Sequence, residues 1–153
     1  MEPIKLFYSY SQKDEEYREE LEKSLAMLKR YDDLQEWHFR KIPPGHNLNS
    51  EISTELENSD IILLLVSRDF LSSPYCYDIE VKKAMELREI GKAVVIPVIL
   101  RECDWTNASC PFKDIEALPK NGLPIKQWKD VDSAFNDVTQ GLKTSLQEKK
   151  MYV

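Results

Sequence analysis

The sequence predicts an α/β fold in which helices cover both faces of a central parallel sheet of about five strands. Two segments, residues 60–67 (DIILLLVS) and 93–100 (AVVIPVIL), contain continuous apolar runs. Because a strand that is buried on both faces has no polar side, such runs are typical of central parallel strands. Strand-like and helix-like segments alternate along the chain, so we expect each helix to cross over between two parallel strands.

The remaining elements follow from hydrophobic spacing. Helices are predicted where apolar residues recur at intervals of three and four, as Tyr17, Leu21, Leu25 and Leu28 do. The predicted helices span residues 14–30, 49–58, 75–90 (followed by Gly91) and 131–147. The other predicted strands span residues 4–9, 34–37 and 124–127. This order corresponds to a flavodoxin-like three-layer sandwich, and a chain of 153 residues fits a single domain, which we place at residues 1–150.

The second half of the chain contains two departures from regular structure. Pro97 lies inside the apolar run at 93–100. Because proline donates no hydrogen bond to a strand ladder, this residue predicts a bulge or an edge position. Residues 101–123 have no clear periodicity, and we expect a long irregular connection there.

Composition and charge exclude several classes of function. The net charge of −6 would repel a nucleic-acid backbone. No apolar run approaches the roughly 20 residues that span a membrane, and the N-terminus does not resemble a signal peptide. Three cysteines without CxxC spacing do not fit a disulfide framework or a zinc site, and His38 and His46 lie apart. We expect a cytoplasmic domain with no metal, membrane or nucleic-acid partner.

Any ligand site should lie at one edge of the predicted sheet. Parallel α/β sheets bind ligands beyond the carboxyl ends of their strands. The segments at these ends are residues 9–14, 37–48, 67–80 and 101–110. The chain has no GxGxxG motif, which disfavours a redox domain that binds dinucleotides.

These segments also contain the motifs of one family. The motifs are FYSYSQKD at 7–14, RKIPPG at 40–45, SDIILLLVSRDFLSSPYCYDIE at 59–80 and VIPVILRECDW at 95–105. In this order and spacing they resemble the TIR (Toll/interleukin receptor) domain family, and bacterial members in particular. Phe135 and Asn136 stand where the family has its last-helix motif, so the resemblance covers almost the whole chain.

The resemblance implies one of two functions. Some TIR domains are scaffolds that only assemble with other TIR domains. Others cleave NAD between nicotinamide and ribose, releasing nicotinamide and ADP-ribose or a cyclic isomer; NAD is then a substrate, and no cofactor is expected. Bacterial TIR domains are commonly fused to sensor modules in antiphage defence, so this chain would be part of a larger protein. A receiver-like phosphorylation domain is disfavoured, because Ser67 stands where a phospho-accepting aspartate is needed.

The resemblance places the catalytic glutamate in the helix after the third strand, where Asp78 and Glu80 are candidates. Glu80 lies between the apolar residues Ile79 and Val81, as in the family pattern, so we predict that Glu80 is catalytic. Its carboxylate would stabilise the oxocarbenium-like ribose. The alternative is a solvated helical glutamate that pairs with Lys83. We expect Glu80 to be exposed, so that its substitution changes the free energy of unfolding by about 0.5 kcal/mol or less.

Ten residues of the strand-end segments are candidates for contact with the substrate. They are Tyr8, Ser9, Tyr10, Ser11, Gly45, Asn47, Ser67, Tyr75, Cys76 and Trp105. Many relatives have a large aromatic residue four positions before the glutamate; Cys76 occupies that position here, and Tyr75 precedes it. Alternatively, Cys76 is a small buried residue, Ser11 caps a helix and Trp105 fills space under the long loop. Phe39 replaces the acidic residue of the family's Trp-x-Asp pattern.

The loop at residues 42–45 (IPPG) is predicted to be stiff, because proline restricts its own backbone and that of the preceding residue. In the family, the equivalent loop contacts neighbouring TIR domains and borders the NAD pocket. We therefore expect self-association through this loop to activate the enzyme. We also expect Tyr10, Ser67 and Trp105 to border the same cleft as Glu80.

Overall fold

A computed structural model describes residues 2–151, so that residue 1 of the predicted domain lies outside the described chain. Within these residues, parallel strands form one sheet in the order β2-β1-β3-β4. The strands are β1 (Ile4–Ser9), β2 (Leu34–Trp37), β3 (Ile61–Val66) and β4 (Val94–Ile99). The prediction of a parallel α/β sheet is confirmed, with four strands rather than five.

The helices depart from the predicted pattern in two places. They are α1 (Glu15–Ser24), α2 (Ala26–Tyr31), α3 (Leu48–Glu57), α4 (Arg68–Ser72), α5 (Lys82–Glu89) and α6 (Val131–Met151). The helix predicted at residues 14–30 is divided at Leu25, and the one predicted at 75–90 begins as a π-helix, Pro74–Val81, that runs into α5. None of the helices in residues 2–151 has both the length and the apolar character to cross a membrane.

The prediction of a fifth strand at residues 124–127 is wrong. These residues contain a 3-10 turn, Ile125–Gln127. The outer edge of β4 is covered at one point by Leu118, which exchanges backbone hydrogen bonds with Pro97 and Ile99. Pro97 therefore lies in an edge strand, as predicted.

The hydrophobic core has two halves, one on each face of the sheet. On one face, Leu6, Leu63 and Val98 pack with side chains of α1, α2 and α6. On the other face, Phe7 and Leu64 pack with side chains of α3 and α5. The prediction of helices on both faces is confirmed. Every residue of β3 is buried, which explains why its sequence does not alternate.

A partly buried ionic cluster around the buried Asp14 joins the carboxyl ends of three strands. Asp14, after β1, accepts hydrogen bonds from Ser67 Oγ at 2.5 Å, after β3, and from Arg101 at 2.8 Å, after β4. Arg101 also donates to Asp69 at 2.6 Å. Because removing one partner of the buried Asp14 carboxylate is unfavourable, this cluster holds the carboxyl edge of the sheet in one arrangement.

Candidate active site

A cavity of about 420 Å³ opens at the carboxyl edge of the sheet. It lies between the end of β1, the 3-10 turn Phe39–Lys41, the start of α3 and the π-helix. Its walls are formed by Tyr10, Ser11, Gln12, Lys13, Phe39, Leu48, Asn49, Ile52, Ser73, Tyr75, Cys76 and Glu80. Both its position and its volume are those of ligand sites in parallel α/β folds.

Glu80 reaches this cavity from a buried position. Only 6% of the residue is exposed, so the expectation of an exposed glutamate is wrong. Its Oε1 accepts a hydrogen bond of 2.6 Å from Ser9 Oγ. Burial raises the pKa of Glu80 to about 7, and the hydrogen bond from Ser9 opposes this shift. Asp78, the other candidate carboxylate, is exposed and does not line the cavity.

The π-helix explains how Tyr75 and Glu80 share one wall. Residues five apart are hydrogen-bonded neighbours in a π-helix, whereas in an α-helix the spacing is four. Tyr75 lies five positions before Glu80, and both side chains line the cavity. Tyr75 therefore lines the same cavity wall as Glu80, although it lies five positions before the glutamate and the family pattern has its aromatic residue four positions before. Ser73 caps this helix by accepting a hydrogen bond of 3.2 Å from the N–H of Cys76.

Cys76 lines the cavity as a buried thiol. Its Sγ donates a hydrogen bond of 3.4 Å to the carbonyl oxygen of Tyr10. Burial raises the pKa of Cys76 to about 11. A thiolate is the nucleophilic form of cysteine, so this residue contributes shape rather than a nucleophile.

Tyr10 and Ser11 extend the wall beyond β1. The Tyr10 hydroxyl donates a hydrogen bond of 2.5 Å to Glu15, and its ring lies 5.4 Å from the ring of Phe39. Phe39 thus supplies an aromatic surface where the family pattern has an acid. Ser11 accepts a hydrogen bond of 3.3 Å from the N–H of Lys13, which caps the 3-10 turn, and it also borders the cavity.

Two predicted substrate contacts point into the protein instead. The Tyr8 hydroxyl donates a hydrogen bond of 2.5 Å to Glu36, and Tyr8 is buried among core side chains. Ser67 accepts from the N–H of Phe70 at the start of α4 while it donates to Asp14. Neither residue lines the cavity. Their hydroxyl groups form hydrogen bonds with polar groups inside the fold instead.

Ser9 does not line the cavity either, although it contacts Glu80, and three further candidates also lie outside the cavity wall. Trp105 packs against Gly122, where a Cβ atom would come within 3.0 Å of the indole ring. Asn47 caps α3 by accepting a hydrogen bond of 2.9 Å from the N–H of Ser50. Gly45 has a φ of 91° in the exposed loop. The expectation that Ser67 and Trp105 border the cavity is therefore wrong, whereas Tyr10 does border it.

Several wall residues were not among the sequence candidates. They are Gln12, Lys13, Phe39, Leu48, Asn49, Ile52 and Ser73. Gln12 and Lys13 directly follow Ser11, so the strand-end rule could have included them. Asn49 and Ile52 are three residues apart on α3 and share a face, but only the fold shows that this face turns toward the cavity.

No group of three or more His, Cys, Asp and Glu residues within the described part of the chain is arranged to hold a metal ion. His46 contacts Glu51 at 2.6 Å on the surface. His38 is buried beside the ring of Tyr8, and burial, with help from Arg18, lowers its pKa.

A parallel sheet with helices on both faces and a cleft at its strand ends defines the class of this protein as an α/β domain. The chain belongs to the TIR domain family, whose model matches residues 6–140. It is 49% identical over 138 residues to the uncharacterized protein y4lF of Sinorhizobium fredii (strain NBRC 101917 / NGR234). That alignment includes 90% of this chain and 42% of the relative, so the chain spans about two fifths of the length of that protein.

Two solved structures share the fold. One contains the TIR domains of the activated Roq1 resistosome, which directly recognises the pathogen effector XopQ; it matches with a TM-score of 0.53 and 20% identity, over 67% of this chain and 61% of that chain. The other is a prokaryotic SEFIR domain, with a TM-score of 0.50 and 15% identity, over 90% of each chain. Both support the α/β assignment.

Proposed function

We propose that this TIR domain cleaves NAD at the bond between nicotinamide and ribose. The observation that supports the proposal most directly is the burial of Glu80 in the wall of a ligand-sized cavity. A glutamate on the solvent-facing side of a helix would remain hydrated. Here the carboxylate is desolvated, positioned by Ser9 and accompanied by Tyr75.

The chemistry needs a negative charge more than it needs an acid. Nicotinamide leaves as a neutral molecule with the electron pair of the broken bond, so that the leaving group requires no proton. The positive charge then develops on the ribose, and a carboxylate in a site of low dielectric stabilises it strongly. Attack by water yields ADP-ribose and a proton, whereas attack by the adenine of the same molecule yields a cyclic isomer.

The ionisation of Glu80 fits this role. With a pKa of about 7, the carboxyl group is partly ionised near neutral pH. The cationic nicotinamide ring of bound NAD would favour the ionised form further, since an opposite charge nearby lowers the pKa of an acid. Binding of the substrate would therefore help to prepare the catalytic charge.

We further propose that activity depends on assembly with other TIR domains, in a cytoplasmic antiphage effector of which this domain is one part. Pro43, Pro44 and Gly45 are exposed on the loop expected to make this contact. Ile42, at the start of this loop, is partly buried and packs against the core, so that it anchors the loop. A stiff, anchored and exposed loop suits docking, because little conformational entropy is lost on contact.

The test is incubation of the protein with NAD and measurement of free nicotinamide. The wild type should release nicotinamide, and Glu80→Gln should reduce the rate by at least about a hundredfold because it removes the charge. Asp78→Asn is the matched control, since it removes a carboxylate from the same helix outside the cavity. A wild type that assembles but releases no nicotinamide would favour the scaffold function instead.

A further inference from the structure

Glu15, the first residue of α1, lies outside the cavity wall and joins three segments of the chain. Its Oε2 accepts a hydrogen bond of 2.5 Å from the hydroxyl of Tyr10, which directly follows β1. The same oxygen pairs at 3.0 Å with Nε of Arg40, in the 3-10 turn Phe39–Lys41. Its Oε1 accepts a hydrogen bond of 3.0 Å from Nε of Arg18. One carboxylate therefore connects the end of β1, α1 and the turn after β2.

Tyr10 and Phe39 form an aromatic part of the cavity wall, and both rings are tied to this connection. The centres of the two rings are 5.4 Å apart, and the ring planes are inclined by 38°. The guanidinium group of Arg18 lies 5.8 Å from the centre of the Tyr10 ring, and that of Arg40 lies 5.6 Å from the centre of the Phe39 ring. Each ring therefore contacts the other ring and an arginine that is bound to Glu15.

The carboxylate of Glu15 stays ionised in this cluster. Its side chain is only 15% exposed, and burial by itself would raise its pKa. The hydrogen bonds from Tyr10, Arg18 and Arg40 together outweigh burial, so the pKa of Glu15 lies below its ordinary value. Glu15 is thus a fixed negative charge at neutral pH, and its effect on the wall should not vary over the pH range in which Glu80 ionises.

We infer that Glu15 is a positioning residue, which fixes the aromatic wall of the cavity without touching the substrate. The inference rests on the proposed cleavage of NAD. An aromatic wall contacts the substrate similarly before and during the breaking of the bond. Loss of its alignment therefore weakens binding and leaves the chemical step unchanged. Substitution of Glu15 should raise the KM for NAD at nearly constant kcat.

The first test is the steady-state kinetics of Glu15→Gln, which removes the charge and keeps the shape of the side chain. The KM for NAD should rise about five- to tenfold, kcat should change less than about twofold, and the pH dependence of kcat should stay the same. Glu15→Asp, which keeps a carboxylate, should recover part of the affinity. Glu19→Gln is the matched control, since Glu19 is exposed on the same helix and does not line the cavity. A fall in kcat at constant KM, or equal effects of Glu15→Gln and Glu19→Gln, would overturn the inference.

A double-mutant cycle tests whether Glu15 acts through Tyr10. Tyr10→Phe keeps the ring and removes the hydroxyl that contacts Glu15. If the two residues act as one unit, the variant with both Tyr10→Phe and Glu15→Gln should raise KM by less than the product of the two single effects. A double variant that reaches this product would show that the two residues act independently, which contradicts the positioning role.

Two measurements without cleavage separate this inference from the proposed function. In Glu80→Gln, which should leave NAD intact, adding Glu15→Gln should raise the dissociation constant of NAD about five- to tenfold by calorimetry. Without ligand, the NOE contacts between the rings of Tyr10 and Phe39 should weaken in Glu15→Gln and persist in Glu19→Gln.

The outcomes of these measurements are distinct. If the wild type releases no nicotinamide, the proposed function fails, and the dissociation constants and ring contacts still decide the role of Glu15. An unchanged dissociation constant or unchanged ring contacts in Glu15→Gln would overturn the inference while NAD cleavage stands. Absence of any NAD binding to Glu80→Gln would contradict both.

Discussion

The hydroxyl of Ser9, the last residue of β1, donates a hydrogen bond of 2.6 Å to Oε1 of Glu80, which lies 71 residues later in the chain. Ser9 is 1% exposed, so water does not compete for this contact. The bond favours the ionised carboxylate, whereas burial favours the protonated acid and dominates. Ser9 thus influences both the orientation of Glu80 and the pH at which it ionises.

Replacing Ser9 by alanine should raise the pKa of Glu80 above 7, because the hydrogen bond that favours the carboxylate is lost. At neutral pH kcat/KM should fall about three- to tenfold, and the rise of kcat/KM with pH should move to higher pH. Ser9→Thr, which keeps the hydroxyl, should restore much of the activity. A loss that is equal at every pH would mean that Ser9 shapes the cavity without affecting ionisation.

Burial of Glu80 should make stability depend on pH. Its folded-state pKa of about 7 lies above the ordinary value of 4.5, so the native state holds a proton that the unfolded state releases. This contribution to stability is complete below the unfolded pKa and is lost as pH rises through about 7. Over that window the wild type should lose on the order of 3 kcal/mol relative to Glu80→Gln.

Chemical denaturation of both proteins between about pH 4 and pH 8 measures this difference. The free energy of unfolding of Glu80→Gln should increase relative to the wild type as pH rises. Asp78→Asn, a change at an exposed position, provides the baseline. A constant difference between wild type and Glu80→Gln across the range would contradict the raised pKa.

Ser67 should affect stability and leave substrate binding unchanged. Its hydroxyl caps α4 and donates to the buried Asp14, so Ser67→Ala should lower the free energy of unfolding by about 2 kcal/mol. Ser72→Ala, on the exposed side of the same helix, should change it by less than about 0.5 kcal/mol. The KM for NAD of folded Ser67→Ala should equal that of the wild type. A large increase in KM would indicate that Ser67 contacts the substrate.

The ring of Tyr75 should matter more than its hydroxyl. Since the π-helix places this ring in the wall shared with Glu80, Tyr75→Ala should raise the KM for NAD roughly tenfold, while Tyr75→Phe stays close to the wild type. Steady-state kinetics of the three proteins provides the comparison. If Tyr75→Phe were as impaired as Tyr75→Ala, the hydroxyl would be the important group.

The assembly proposal predicts that specific activity rises with protein concentration. Gly45→Glu should flatten this rise by placing a charge on the exposed loop. Gly91→Glu is a matched control: both glycines have positive φ, 91° and 74°, and open space around the missing side chain. A side chain at positive φ is strained in both variants, so the control includes this cost. Full activity of the dilute monomer would show that no assembly switch exists.

The elements that the sequence predicted best are those with a local signature. The continuous apolar runs at β3 and β4 predicted buried parallel strands, and the helical spacing of leucines predicted which faces are buried. The position of a site at the strand ends follows from the order of these elements. The family motifs then selected Glu80, and the TIR assignment is confirmed by the match over residues 6–140.

Only the tertiary structure determined the properties that depend on contacts between residues far apart in the sequence. The burial and raised pKa of Glu80 arise from the packing of the π-helix against β1, and no local pattern around Glu80 encodes its contact with Ser9. Ser67 and Trp105 occupy strand-end segments as predicted, yet Ser67 contacts Asp14, Trp105 packs beside Gly122, and neither lines the cavity. Periodicity records which face of an element is apolar, whereas burial, hydrogen-bond partners and cavity walls exist only once separate segments meet.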